Sequence, residues 1–167
     1  PWPRVGFGRE PTAQGGRAMT KAMDTVRSEF IEKTGLIAQN QGIPRVAGRV
    51  LGMLLFDGEA VSFGDLAREL QVSRASISTS TRLLEDRALI KRLTKSGERQ
   101  DFFQLAERPF PNMLARVRQE MLRAQADIQT SVSEICDSRP DIKARVQEYA
   151  NLYAALSISI EKAADTL

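Results

Sequence analysis

Apolar residues recur at helical spacing through the first and last thirds of this chain and switch, near residue 89, to short β-capable runs. Met23, Val26, Phe30 and Ile37 predict a first helix over about Lys21 to Gln39, ended by Gly42 and Pro44. A second helix follows from Pro44 to Phe56. It sets Val46, Ala47, Val50, Leu51, Leu54 and Leu55 on one stripe, with Pro44 in its first turn and Gly58 just past its end. This pattern reads as a buried core helix.

Two short helices come next. Ser62 precedes Phe63 to Leu70, with Asp65 three residues on as in a capping box, and Ser73 caps a segment ending at Arg87 after the link Gln71-Val72. Two helices joined by so short a link form a helix-turn-helix. Leu89 to Thr94 and Gln100 to Leu105 then flank Lys95-Ser96-Gly97-Glu98, which predicts a hairpin or wing. Beyond Arg108, Phe110, Leu114, Val117, Met121, Ala124 and Ile128 return to helical steps, and Ser138 and Pro140 interrupt them. The last helix carries Ile142, Val146, Tyr149, Tyr153, Leu156, Ile160, Ala163 and Leu167 on alternating steps of four and three, the spacing of a coiled-coil seam that something must cover. Residues 1–18, rich in glycine and proline, read as a flexible tail, either a native extension or a remnant ahead of a start at Met19 or Met23.

Composition narrows the functional classes. The 42% hydrophobic and 27% charged fractions are those of a soluble globular protein, no run approaches the roughly 18 apolar residues of a membrane span, and the start lacks a secretory pattern, so the expected place is the cytoplasm. With one cysteine, Cys136, no disulfide forms within the chain, and a lone apolar-face cysteine near a helix end is more often inert than an oxidation sensor. The chain has no histidine, which excludes His-dependent triads and histidine zinc sites. It also lacks a P-loop, a dinucleotide glycine pattern and a nucleophile elbow, so neither an enzyme, a cofactor nor a metal is expected. The net charge of +3 is already accounted for by residues 1–22, where Arg4, Arg9, Arg17 and Lys21 face only Glu10. Within the neutral remainder, Arg74, Arg82, Arg87, Lys91, Arg92, Lys95 and Arg99 face only Glu85, Asp86 and Glu98, so positive charge is concentrated over residues 73–99.

That stretch also carries the candidate chemistry. At 100° per residue, Ile77, Thr81, Leu84 and Ala88 share the core face of the Ser73–Arg87 helix, leaving Ser73, Arg74, Ala75, Ser76, Ser78, Thr79 and Arg82 outward or at its N-terminal end. Small hydroxyl residues are mediocre helix formers, but they suit a helix lying close to bases and phosphates in a DNA major groove, where arginine can read guanine. Lys95 and Arg99 of the wing can reach phosphates or an adjacent minor groove. The alternative is a winged-helix module that uses the same surface to hold a protein partner without binding DNA.

The segments Gly42-Ile43-Pro44-Arg45-Val46-Ala47-Gly48-Arg49-Val50-Leu51-Gly52, Ser62 to Leu70, Val72-Ser73-Arg74-Ala75-Ser76-Ile77-Ser78 and Gly97-Glu98-Arg99 resemble the MarR superfamily of winged helix-turn-helix transcriptional regulators, particularly its GbsR-like branch, over about residues 25–165. The resemblance implies a mainly α fold with a small β-hairpin wing: a tail over 1–20, an N-terminal dimerisation helix over 21–42, the winged helix-turn-helix over 43–106 and C-terminal dimerisation helices over 107–167. It implies a homodimer held by Val26, Phe30, Ile142, Val146, Tyr149, Tyr153, Leu156 and Ile160 that straddles a pseudo-palindromic operator on double-stranded DNA, in the manner of a repressor. For some members it also implies a small-molecule effector. Choline-responsive relatives are associated with an aromatic cage, but the sole tryptophan here is Trp2 in the tail; Tyr149 and Tyr153 are the remaining aromatic candidates for an effector, set against plain packing on the seam.

Overall fold

A computed structural model describes the backbone of residues 13–167 and side chains from residue 22 onward. Six helices and three short strands follow in order: α1 (Ala13–Asn40), α2 (Arg45–Asp57), β1 (Val61–Ser62), α3 (Phe63–Glu69), α4 (Arg74–Asp86), β2 (Ile90–Leu93), β3 (Phe102–Leu105), α5 (Pro109–Glu134) and α6 (Pro140–Asp165). Helix α1 starts at Ala13, ahead of the Lys21 read from apolar spacing. The rest of the expected tail, Trp2 included, lies outside the described residues.

Local chemistry sets the boundaries. Gly42, at φ 75°, ends α1 in a left-handed turn whose amides return to Gln39 and, through Ile43, to Ala38. Gly58, at φ 71°, does the same for α2, its amide donating to Leu54 at 3.1 Å. Ser62 Oγ accepts from the Asp65 amide at 3.1 Å and donates to Asp65 Oδ2 at 2.7 Å, closing the capping arrangement read from the sequence. That hydrogen bond holds the Asp65 carboxyl below its usual range, with Arg68 assisting. Ser73 caps α4 by accepting from the Ser76 amide.

The sheet is antiparallel in the order β1-β3-β2, with Ile90 opposite Leu105, Leu93 opposite Phe102 and Val61 opposite Phe103. Strand β1 was not anticipated: two residues are too few to show alternation, and Ser62 serves both the strand and the cap of α3. The core lies between α2, α3, α4 and the sheet, where Val50, Leu54, Leu66, Ile77 and Phe103 are fully buried. Removing side chains of this size from water stabilises the fold by about 1.5–3 kcal/mol each.

Helix α1 lies close along α2 because Gly35, Gly48 and Gly52 remove side chains from the crossing. Arg27 locks the far end: its Nε and Nη2 reach Asp57 Oδ1 and Oδ2 at 2.6 Å each, and Nη2 also reaches Glu69 at 2.9 Å, joining α1 to α2 and α3. These partners hold the guanidinium proton more tightly than usual. Helices α5 and α6 form a long antiparallel hairpin. Met113 packs against the core, and Arg116 Nη1 donates to the Asp86 carbonyl at the end of α4. On α6, Ala150 and Ser157 are the buried residues. The expected seam is therefore split: Ile142, Val146, Tyr153 and Ile160 are half-buried, while Tyr149 and Leu156 face outward.

A Cβ at Gly48 would stand 2.5 Å from Ala38 Cβ and 2.6 Å from the Thr34 carbonyl, so Gly48→Ala should separate α1 from α2 and cost about 1–3 kcal/mol in urea unfolding. Gly58→Ala meets nothing within 4 Å and should cost only the left-handed backbone penalty, about 1 kcal/mol. Equal losses for the two variants would refute the close-approach explanation.

Candidate nucleic-acid interface

Helix α4 divides into two faces. Ile77, Ser80, Thr81 and Leu84 are buried, and Thr81 hides its hydroxyl by donating to the Ile77 carbonyl at 3.0 Å. Ser80 was absent from the expected core face, although its spacing of three and four from Ile77 and Leu84 could have revealed it. Ala88, assigned to that face, instead lies beyond the helix at φ 56°, where the chain turns into β2; the Leu89 amide returns to the Leu84 carbonyl. On the other face Ser73, Arg74, Ala75, Thr79 and Arg82 are exposed, and Ser76 and Ser78 half-buried.

The hydroxyls on this outer face are mostly engaged within the helix. Ser73 and Ser76 share a hydrogen bond of 2.8 Å, and Thr79 Oγ1 donates to the Ala75 carbonyl at 3.1 Å. The Thr79 methyl is left as its outward group. Arg74 lies over the Phe63 ring, 4.7 Å from its centroid, so the start of α3 steadies the first cation of α4. Arg82 has no carboxylate partner among the described residues.

In the wing, Gly97 turns the chain at φ 85° and the Glu98 amide donates to the Lys95 carbonyl at 3.0 Å. Arg99 is exposed and unpaired among the described residues, whereas the Lys95 ammonium folds back to 4.1 Å from the Phe102 centroid. The wing is fastened to the helix-turn-helix at its base: Phe63 N donates to the Asp101 carbonyl at 2.9 Å and Gly64 N to Gln100 Oε1 at 3.1 Å.

Arg92 departs from the simple tally of local charge. Its guanidinium grips Glu85 through Nε at 3.1 Å and Nη2 at 2.9 Å, reaches Asp101 Oδ2 at 3.1 Å, and lies over the Phe103 ring. Bonding to Glu85 raises its pKa, with Asp101 adding to the effect. Arg92 thus ties β2 to α4 and holds two carboxylates, offsetting one of their two negative charges. Nothing in its sequence position distinguished it from the free arginines, because its partners lie 7 and 9 residues away.

Between α4 and the N-terminal end of α2 runs an open groove of about 330 Å³ lined by Pro44, Val46, Ala75, Ser76, Thr79 and Ser80. Arg45 is held away from it by Glu32, 2.7 Å from its Nη2, and this bond keeps the Glu32 carboxyl below its ordinary range.

Two apolar stripes lie outside the wing region. Met23, Val26, Phe30 and Ile37 are exposed along α1, as are Tyr149, Leu152 and Leu156 along α6. Tyr149 and Tyr153 pack edge to face with centroids 5.2 Å apart and hydroxyls 3.0 Å apart, and this hydrogen bond raises the Tyr153 pKa. Cys136 is exposed rather than on an apolar face, because the α5–α6 turn carries it outward; its Sγ lies 3.0 Å from Ser138 Oγ, which lowers the thiol pKa. Among the described residues no helix is long and apolar enough to cross a membrane.

Residues 41–100, from the end of α1 to the wing, match the model of the MarR family. The HTH-type transcriptional regulator MmpR5 of Mycobacterium tuberculosis is 34% identical over 131 residues, covering 75% of this chain and 77% of the relative. A crystal structure described as a transcriptional regulator superposes with a TM-score of 0.74 at 29% identity, covering 84% of this chain and 96% of that one. With its helix-turn-helix, three-stranded wing and long flanking helices, the chain belongs to the MarR family of winged-helix transcriptional regulators.

Proposed function

We propose that this chain is a sequence-specific regulator that binds double-stranded DNA as a homodimer, in the cytoplasm, and represses transcription from a pseudo-palindromic operator. The observation that carries the reading is the division of charge around α4. Arg82 and Arg99 are exposed without carboxylate partners among the described residues, while Glu85 and Asp101 are both drawn onto Arg92. A polyanion meets an uncompensated positive surface there. In this reading Ser73, Arg74, Ala75, Ser76, Ser78, Thr79 and Arg82 enter the major groove, and Lys95 and Arg99 follow the neighbouring backbone or minor groove. Lys95 must leave the Phe102 ring to do so.

The exposed stripes support the homodimer. Val26 and Phe30 on α1, with Tyr149 and Leu156 on α6, present apolar area that a second copy would cover, and Ile142, Val146, Tyr153 and Ile160 border it. The turn from Gly42 into Arg45 supports placement in the GbsR-like branch. A small-molecule effector completes the reading: a ligand that reset the spacing of the two α4 helices would release the operator. Because the Tyr149 and Tyr153 rings are packed on each other, they fit dimer packing better than a cage for such a ligand.

Three outcomes test this. In mobility-shift titrations against DNA flanking the protein's own gene, Arg99→Ala should weaken binding across sequences and flatten the salt dependence by about 0.9 per lost phosphate contact. An unchanged slope would refute its phosphate role. Arg82→Ala should cost about 1–3 kcal/mol and relax preference at one base pair per half-site. Persistent absence of salt-sensitive binding would favour a protein-interaction module instead. Leu156→Glu should convert a dimeric mass to a monomeric one in light scattering at micromolar concentration and abolish tight operator binding; a wild-type monomer would refute the dimer.

A further inference from the structure

The groove beside α4 has a composition that the charge argument does not explain. None of its six lining residues is charged; Pro44, Val46, Ala75 and Thr79 offer carbon, and Ser80, only 2% exposed, belongs to its buried side. Two of its three lining hydroxyls already have partners on α4 and its cap. Thr79 Oγ1 is bound to the Ala75 carbonyl and Ser76 Oγ to Ser73 Oγ, so the Ala75 and Thr79 methyls, one helical turn apart, form an apolar strip on the outer face of α4. Cations flank this strip on the same helix, Arg74 at its N-terminal end and Arg82 beyond it. The fitting occupant is therefore a polyanion with an apolar projection.

Double-stranded DNA has one such group in its major groove: the 5-methyl of thymine, beside the O4 acceptor. We infer that Ala75 and Thr79, backed by Pro44 and Val46, form a thymine-methyl reading surface that selects a T·A pair at a fixed position of each half-site. This rests on the DNA-binding reading above and adds to it the base that the apolar strip prefers. The arginines supply affinity and guanine contacts. The strip discriminates against cytosine, which lacks the methyl and presents an amino donor that the groove's carbon lining cannot accept.

The test removes only the methyl. Duplexes bound by the wild-type protein are selected from a random pool, and each thymine of the selected site is replaced in turn by deoxyuridine, which keeps base pairing and every hydrogen-bonding group. At the position read by the strip, affinity should fall about fourfold per methyl, with other positions within twofold. Thr79→Ser retains the hydroxyl bond to Ala75 but deletes the side-chain methyl, and Ala75→Gly deletes the other; the double variant should bind the thymine and deoxyuridine duplexes almost equally at that position while retaining the wild-type salt slope. Salt-sensitive binding with no thymine sensitive to the exchange overturns the inference and leaves DNA binding intact. The same loss in wild type and the double variant also overturns it, since the contact then lies elsewhere. If no selected duplex shows salt-sensitive binding, the underlying reading fails and this inference fails with it.

Discussion

Burial of Ile77, Ser80, Thr81 and Leu84 fixes the rotation of α4 about its axis. A helix has one apolar stripe, and once that stripe is seated every other side chain has its direction set by the 100° step. Ser80 and Thr81 matter as much as the larger residues. Their small volume lets α4 settle on α2, and the Thr81 bond to the Ile77 carbonyl removes a hydroxyl that would otherwise be buried unpaired. Arg74, Ala75, Thr79 and Arg82 are outward because nothing else is compatible with that seat.

The charged groups are partitioned just as strictly. Arg27 spends both edges of its guanidinium on Asp57 and Glu69, Arg45 and Arg49 converge on Glu32, and Arg92 holds Glu85 and Asp101. Each of these pairs joins one element of the fold to another. Partly exposed pairs of this kind contribute only about 0–1 kcal/mol each, so their weight lies in where they leave the remaining charge. A sequence tally over residues 73–99 treats Arg92 and Arg99 alike. The fold makes one a fastening of the wing and leaves the other without a carboxylate partner among the described residues.

Most of the architecture was legible because it rests on local signals. The Ser62 and Ser73 caps, Gly58 after α2 and the change of period near Leu89 each act within a few residues, and they located the helix-turn-helix and the two main wing strands. Part of what escaped depended on partners distant in sequence. Two-residue β1 exists only because β3 offers it an edge. The seam of α6 is divided between α5 and open surface because Ala150 and Ser157, too small to stand out as apolar markers, are the residues α5 covers. Helix positions showed which hydroxyls of α4 face outward, but not that Thr79, Ser73 and Ser76 have already found partners, so a surface read as polar is in part a methyl surface.

The attachment of α5 bears on how the halves of a dimer would communicate. The Ala106 amide binds the Leu89 carbonyl at 3.0 Å, Met113 packs against the core, and Arg116 binds the Asp86 carbonyl at the C-terminal end of α4, where the helix dipole favours a cation. These contacts join the base of the hairpin to the end of the helix that, in the proposed reading, lies in the groove. In the proposed dimer the separation of the two α4 helices must match one turn of DNA, about 34–36 Å. A rotation of α5 would move α4 through Arg116 and Met113 together, and because α4 is seated by a rigid buried stripe it would move as a body. Control of DNA affinity then needs no change within the helix-turn-helix, only a change in the angle at which the hairpin carries it.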